Sequence, residues 1–157
     1  MSTSEASGLV SDLAGLRDLA GRHAGYTEWR EIDQQQVDKF ADATDDHQWI
    51  HVDVERAKES PFGGTIAHGF LTLSLLAPVT QGLLTVTDAK TGINYGLEKV
   101  RFPAPLPVGA EWRGGMEIVD VSEVGGGGVQ LKLKVTIEVK GSDKPACVAE
   151  SLVRLYG

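Results

Sequence analysis

Ile66-Ala67-His68-Gly69-Phe70-Leu71-Thr72-Leu73-Ser74-Leu75-Leu76-Ala77-Pro78-Val79-Thr80-Gln81-Gly82-Leu83 is the most apolar run in the chain. His68, Pro78, Gln81 and Gly82 interrupt it, which fits a buried helix better than a membrane span. Phe70, Leu71, Leu73, Leu75, Leu76, Val79 and Leu83 spread around most of a helical circumference, and a helix apolar nearly all round must be covered by the rest of the molecule. The cover follows it. Gly92 to Phe102, Glu111 to Val124, Val129 to Val139 and Ala146 to Tyr156 are rich in strand-forming residues. In Leu131-Lys132-Leu133-Lys134-Val135-Thr136-Ile137-Glu138-Val139 the alternation is strict, as in an antiparallel strand with one buried and one wet face. The glycines 125 to 128 predict a hairpin connection, and Pro103, Pro105 and Pro107 a stiff crossover. The fold class that results is α+β, a long central helix wrapped by a curved antiparallel sheet. One sheet around one helix leaves an open edge, which a second copy of the chain would cover, so a homodimer is expected.

Before this helix the patterns are shorter. Leu9, Leu13, Leu16 and Leu19 recur at helical intervals and predict an amphipathic helix over residues 9 to 20, within an amino-terminal helical extension of residues 1–23. Thr27 to Ile32 alternates like a strand. Asp33, with Gln36 three residues on, reads as the cap of a helix carrying Val37, Phe40 and Ala41 inward. Residues 43 to 51 break periodicity and predict a loop, and Asp53 can cap a short helix through Lys58. Turn residues Pro61, Gly63 and Gly64 precede the apolar helix.

The chain has 157 residues, the size of one domain, and its composition of 41% hydrophobic and 24% charged residues is ordinary for a globular protein. Residues 1–157 are therefore read as a single domain. Fifteen Lys plus Arg against 22 Asp plus Glu give a net charge of −7, which disfavours a nucleic-acid partner. Cys147 is the only cysteine, so no intrachain disulfide can form. The amino terminus carries Glu5 and no apolar segment of the signal-peptide kind. A soluble, cytoplasmic protein without a membrane partner is expected.

Two constellations carry chemistry. Asp46 and His51 stand five residues apart in the polar loop, where Trp49 and Ile50 can anchor it. A carboxylate beside an imidazole can share one water and exchange its protons near neutral pH. By residue type alone, structural hydrogen bonding accounts for such a pair more often than chemistry does. The second constellation is Ile66-Ala67-His68-Gly69-Phe70 at the helix start, where a free backbone N–H can face an oxyanion and Gly69 permits close approach. Equally, Gly69 can serve close helix–sheet packing and His68 can be a satisfied core histidine. Together the two would suit addition of water to C3 of an α,β-unsaturated thioester while charge gathers on the carbonyl oxygen. Such chemistry needs no nicotinamide, flavin or metal, and no GxGxxG opens a helix after a strand.

These residues resemble the MaoC-like dehydratases, in particular the R-specific enoyl-CoA hydratases and the branch similar to nodulation protein N. The family motif Ser/Thr-Gly-Asp-x-Asn-Pro-Leu/Ile-His is similar to Thr44 to His51, which puts the motif aspartate on Asp46 and the motif histidine on His51. Asp45 replaces the motif glycine, Gln48-Trp49 replace Asn-Pro, and Ala77 stands near a serine that some hydratases carry. Ala67-His68-Gly69 matches the helix motif and implies that the Gly69 amide meets the thioester oxygen. Ile93-Asn94-Tyr95-Gly96 and Val100 to Pro105 look like the strand and turn of the nodulation-N-like branch, with Asn94 a pocket residue. The resemblance spans roughly residues 24 to 156. It implies a hot-dog fold, a homodimer, an acyl-CoA or acyl carrier protein thioester as substrate, no cofactor, and hydration of trans-2-enoyl-CoA to (R)-3-hydroxyacyl-CoA or its reverse. Lys58, Lys99 and Arg101 are possible partners of the CoA phosphates.

Three rivals share these residues. A hot-dog thioesterase would direct water at the carbonyl carbon, and a binding module would hold the thioester without turning it over. A metal site would draw on Asp45, Asp46, His47, His51 and Asp53, whose two histidines stand four residues apart.

Overall fold

The structure is a computed structural model that describes residues 8–157. Its frame is a six-stranded antiparallel sheet. The strands are β2 (His23–Tyr26), β3 (Arg30–Glu31), β5 (Thr91–Arg101), β6 (Glu111–Val124), β7 (Gly128–Val139) and β8 (Cys147–Tyr156). Their order is β2-β6-β7-β8-β5, with β3 also on β6. The alternation in β7 does what its pattern predicts: Leu131, Leu133, Val135 and Ile137 are buried while Lys134 is exposed. Gly126 and Gly127 take φ of 78° and 75°, the left-handed conformation that lets β6 turn directly into β7.

The concave side holds α4 (Gly69–Ser74) and α5 (Leu76–Leu83). The expected single long helix is therefore two, broken at Leu75. Pro78 has no N–H to offer the Ser74 carbonyl, and proline is tolerated only in a first turn, which is where it stands in α5. The Ser74 hydroxyl donates back to the Phe70 carbonyl. Val79 packs against the β6 backbone at Gly114, where a side chain would overlap it. The expectation that the helix is buried all round is also corrected. Val79, Leu71, Leu75 and Leu83 are in the core, but Phe70 is 72% exposed and Ser74, Ala77 and Gln81 face outward.

Two further expectations change. The amphipathic helix over residues 9 to 20 is instead β1 (Leu9–Ser11) followed by a 3-10 helix, Ala14–Leu19. β1 satisfies its backbone by pairing in parallel with β4 (Leu84–Val86), and Asp12 accepts from the Gly15 N–H to turn the chain. The leucine spacing still serves burial, with Leu16 fully in the core. Residues 1–7 of the anticipated extension lie outside those described. The strand anticipated over Thr27 to Ile32 shortens to β3 alone.

β5 differs from its sheet neighbours. It is an edge strand, ten of its eleven residues are exposed, and Ile93, Tyr95 and Leu97 stand in solvent in the single chain. No helix of the described residues is long and apolar enough to cross a membrane.

Candidate active site

Three short helices build the loop that precedes the central pair: α1 (Gln34–Thr44), α2 (Trp49–Val52) and α3 (Val54–Ala57). Asp33 caps α1 by accepting from the Gln36 N–H, and Asp53 caps α3 by accepting from Arg56, as the local spacing predicts. α1 ends on Asp45 in the left-handed conformation, φ 60° and ψ 33°. That is the conformation a glycine takes most easily, and a short polar side chain tolerates it. The turn carries the chain past Asp46, and the expected loop then closes into the helical turn α2, on which His51 stands. Trp49 is clamped from outside by the Arg56 guanidinium, 4.2 Å above its ring.

Asp46 and His51 come together as anticipated, and His68 joins them. One ligand atom from each of the three lies within 4.8 Å of the others. His51 is 6% exposed and His68 2%, whereas Asp46 is open to solvent. The His51 Nδ1 donates to the Ile66 carbonyl at 2.7 Å, which leaves Nε2 as its free, proton-accepting nitrogen. The His68 Nε2 donates to the Asp46 backbone carbonyl at 3.0 Å, and the two imidazoles stack with centroids 3.8 Å apart and planes 22° apart. Burial pushes the His51 pKa below its ordinary 6.5, and the adjacent His68 acts in the same direction. The Ile66 hydrogen bond and the Asp46 charge oppose them.

Gln34 ties this arrangement to the fold. Its amide nitrogen donates to the His51 carbonyl and to Asp38, while its oxygen accepts from the buried Thr65 hydroxyl. Sequence reading did not single out Gln34; its position in the first turn of a capped helix held the only signal.

The start of α4 lies next to the imidazole pair because His68, its N-cap, is followed directly by Gly69. The Gly69 N–H belongs to the first turn, where no intrahelical acceptor exists. A methyl group at Gly69 would meet only the Phe102 ring at an ordinary 3.5 Å, so packing within this chain does not require glycine there. An unobstructed approach to its exposed backbone remains as a reason.

Asn94 is not part of this cluster. It lies on β5 opposite Val153, beside a bulge at Tyr95, and lines a cavity of about 650 Å³ between the outer face of α4–α5 and strands β5 and β8. Leu73, Ala77, Thr80 and Ser151 share that wall. Ser74 lies one helical turn beyond Phe70, so the cavity begins one turn past Gly69.

The five residues of the metal reading are not assembled. His47 points outward to Asp42 at 2.9 Å and Asp45 at 3.6 Å, and its bond to Asp42 raises its pKa. The cluster that does form, Asp46 with His51 and His68, shares only Asp46 and His51 with that reading. Cys147 is buried in the sheet, and burial pushes its thiol up to about 11, away from reactivity. Of the anticipated phosphate partners, Lys58 is paired with Glu55, while Lys99 and Arg101 are exposed on β5.

A sheet wrapped on a helix pair, with a polar loop over the start of the first helix, is a hot-dog fold of the dehydratase kind. A family model described as a MaoC like domain matches residues 17–140, and the chain belongs to that family. It is 55% identical over 145 residues to the 3-hydroxyacyl-thioester dehydratase Z of Mycobacterium tuberculosis, covering 92% of this chain and 94% of that one. It is 44% identical over 139 residues to the nodulation protein N of Rhizobium leguminosarum bv. viciae, covering 87% and 86%. Among solved structures, an (R)-hydratase from A. caviae involved in PHA biosynthesis matches with a TM-score of 0.67 at 24% identity, over 87% of this chain and 96% of that one. A MaoC-like dehydratase from Rhodospirillum rubrum gives 0.70 at 19%, over 90% and 95%. These two likenesses show the shared fold.

Proposed function

We propose that the protein is a hydro-lyase that reversibly adds water to a trans-2-enoyl thioester of CoA or acyl carrier protein, giving the (R)-3-hydroxyacyl thioester. The observation that carries this reading is the pairing of an open carboxylate, Asp46, with an imidazole whose Nδ1 is committed to Ile66 and whose Nε2 is free. A water held between them can be polarised for attack at C3. The proton that balances the addition reaches C2 from the same pair, and the Gly69 N–H stabilises the enolate oxygen as charge moves there. The neutral imidazole favoured by burial is the form that accepts a proton near neutral pH. The extensive identity with a 3-hydroxyacyl-thioester dehydratase supports the reaction class.

The cavity past Gly69, with Asn94 in its wall, is of a size and mixed polarity to receive the acyl chain. A second copy of the chain would cover the edge of β5 and the apolar side chains of Ile93, Tyr95, Leu97 and Phe70, and we read the working form as a cytoplasmic homodimer. The test is to add the protein to crotonyl-CoA and follow both loss of enoyl absorbance and release of free thiol. Loss of the enoyl band without thiol is the expected result. Thiol release would make the protein a thioesterase, and binding without either change would make it a carrier of acyl thioesters.

A further inference from the structure

His68 is the buried polar side chain that this reaction scheme leaves without a task. It is 98% buried by its exposure of 2%, and its Nδ1 is the one buried side-chain N or O atom without a hydrogen-bond partner among the described residues. A polar atom sealed away from water without a partner is costly, so a histidine here needs a reason that leucine would not satisfy. Its contacts supply one. Nε2 donates to the backbone carbonyl of Asp46, the ring lies flat on His51, and Phe40 from α1 closes the far side at 4.8 Å. His68 is also the residue that opens α4, immediately before Gly69.

We propose that His68 is a positioning residue: with its proton on Nε2 it grips the Asp46 carbonyl and, by stacking, fixes the rotation of His51, so that both stay in register with the Gly69 amide. The assignment rests on the hydratase reading of the site. It explains the bare Nδ1: a carbonyl can only accept, so Nε2 must carry the proton, and a proton on Nδ1 would be buried facing no acceptor. The two stacked rings thus hold opposite tautomers, Nδ1–H on His51 and Nε2–H on His68. The arrangement also links the two halves of the chemistry through one side chain, since its backbone sets the oxyanion amide and its ring sets the water-holding pair. The titratable groups facing it are His51 from α2 and Asp46 from the end of α1.

The experiment combines two substitutions with one spectrum. In the full-length protein, His68→Phe keeps a flat ring but loses the donor, and His68→Gln restores an amide N–H near the position of Nε2. Expected for His68→Phe is a fall in kcat of roughly 10- to 100-fold with little change in KM, the size of loss that follows misplacement of reacting groups; His68→Gln recovers most of it. The split between kcat and KM, together with the rescue by His68→Gln, is the readout that positioning moves. A merely structural histidine would lower the stability of His68→Phe and leave kcat per folded molecule unchanged. Nitrogen-15 spectra of the wild-type histidines decide the tautomers independently of either variant's folding. A folded His68→Phe with wild-type kcat, or His68 protonated on Nδ1, overturns the assignment. A wild-type protein that turns over no enoyl thioester overturns the hydratase reading itself, so the two failures are distinct.

Discussion

The segment from Gln34 to Gly69 and the sheet from Glu111 to Tyr156 are held together by different physics. In the sheet, β6, β7 and β8 form continuous ladders, and their inward side chains make most of the core. In the segment, helices of four to eleven residues are pinned by single polar contacts: Asp33 and Asp53 caps, Gln34 bridging His51 to Thr65, and His68 on Asp46. Burial of apolar area is strong but does not direct a side chain, whereas a hydrogen bond contributes little net free energy and fixes an orientation. The division assigns stability to one region and geometry to the other.

Changes in the two regions should therefore separate rate from stability. His51→Ala should lower turnover by roughly two or more orders of magnitude, the contribution of a general acid–base group, while its thermal midpoint stays near wild type. Ile137→Ala, at a fully buried position of β7, should do the reverse. It should cost about 2–5 kcal/mol in denaturant unfolding and leave turnover per folded molecule unchanged. Gly114→Ala puts a methyl group into Val79 and should cost about 1–3 kcal/mol through overpacking. A sheet substitution that abolished turnover in a fully folded protein would break the division.

The smallest effect is one of pH. The His51 pKa is lower in the fold than its ordinary 6.5. As pH falls through 6.5 the unfolded chain takes up this proton first, so the His51 contribution to stability is present above that pH and declines below it, levelling once the folded imidazole also protonates. On acidification through that window the melting temperature of the wild type should fall relative to that of His51→Ala.

Legibility follows the same division. β7 follows from alternation because one face is buried and the other is wetter, so period two is imposed by solvent, while β6 and β8 follow from runs of strand-forming residues between turn signals. The caps at Asp33 and Asp53 follow from chemistry within a few residues. The break at Leu75 did not, because the apolar run masks a backbone effect that depends on Pro78 alone. The residues 9 to 20 misled for a related reason: Leu9, Leu13, Leu16 and Leu19 report burial, and burial is achieved here by a strand and a tight turn paired with Leu84–Val86 seventy-five residues away. At the candidate site, family resemblance singled out Asp46 and His51, a pair that local spacing alone reads more often as structural hydrogen-bonders. The stacking of His68 on His51 joins residues seventeen apart in the chain through the fold, and no local pattern encodes it.

The most direct test compares wild type and Asp46→Asn on crotonyl-CoA, with chiral analysis of the product and a melting curve for each protein. The account predicts (R)-3-hydroxybutyryl-CoA from the wild type, and from a variant that melts alongside it a rate lower by roughly two or more orders of magnitude. A folded Asp46→Asn protein that hydrates crotonyl-CoA as fast as the wild type would contradict it.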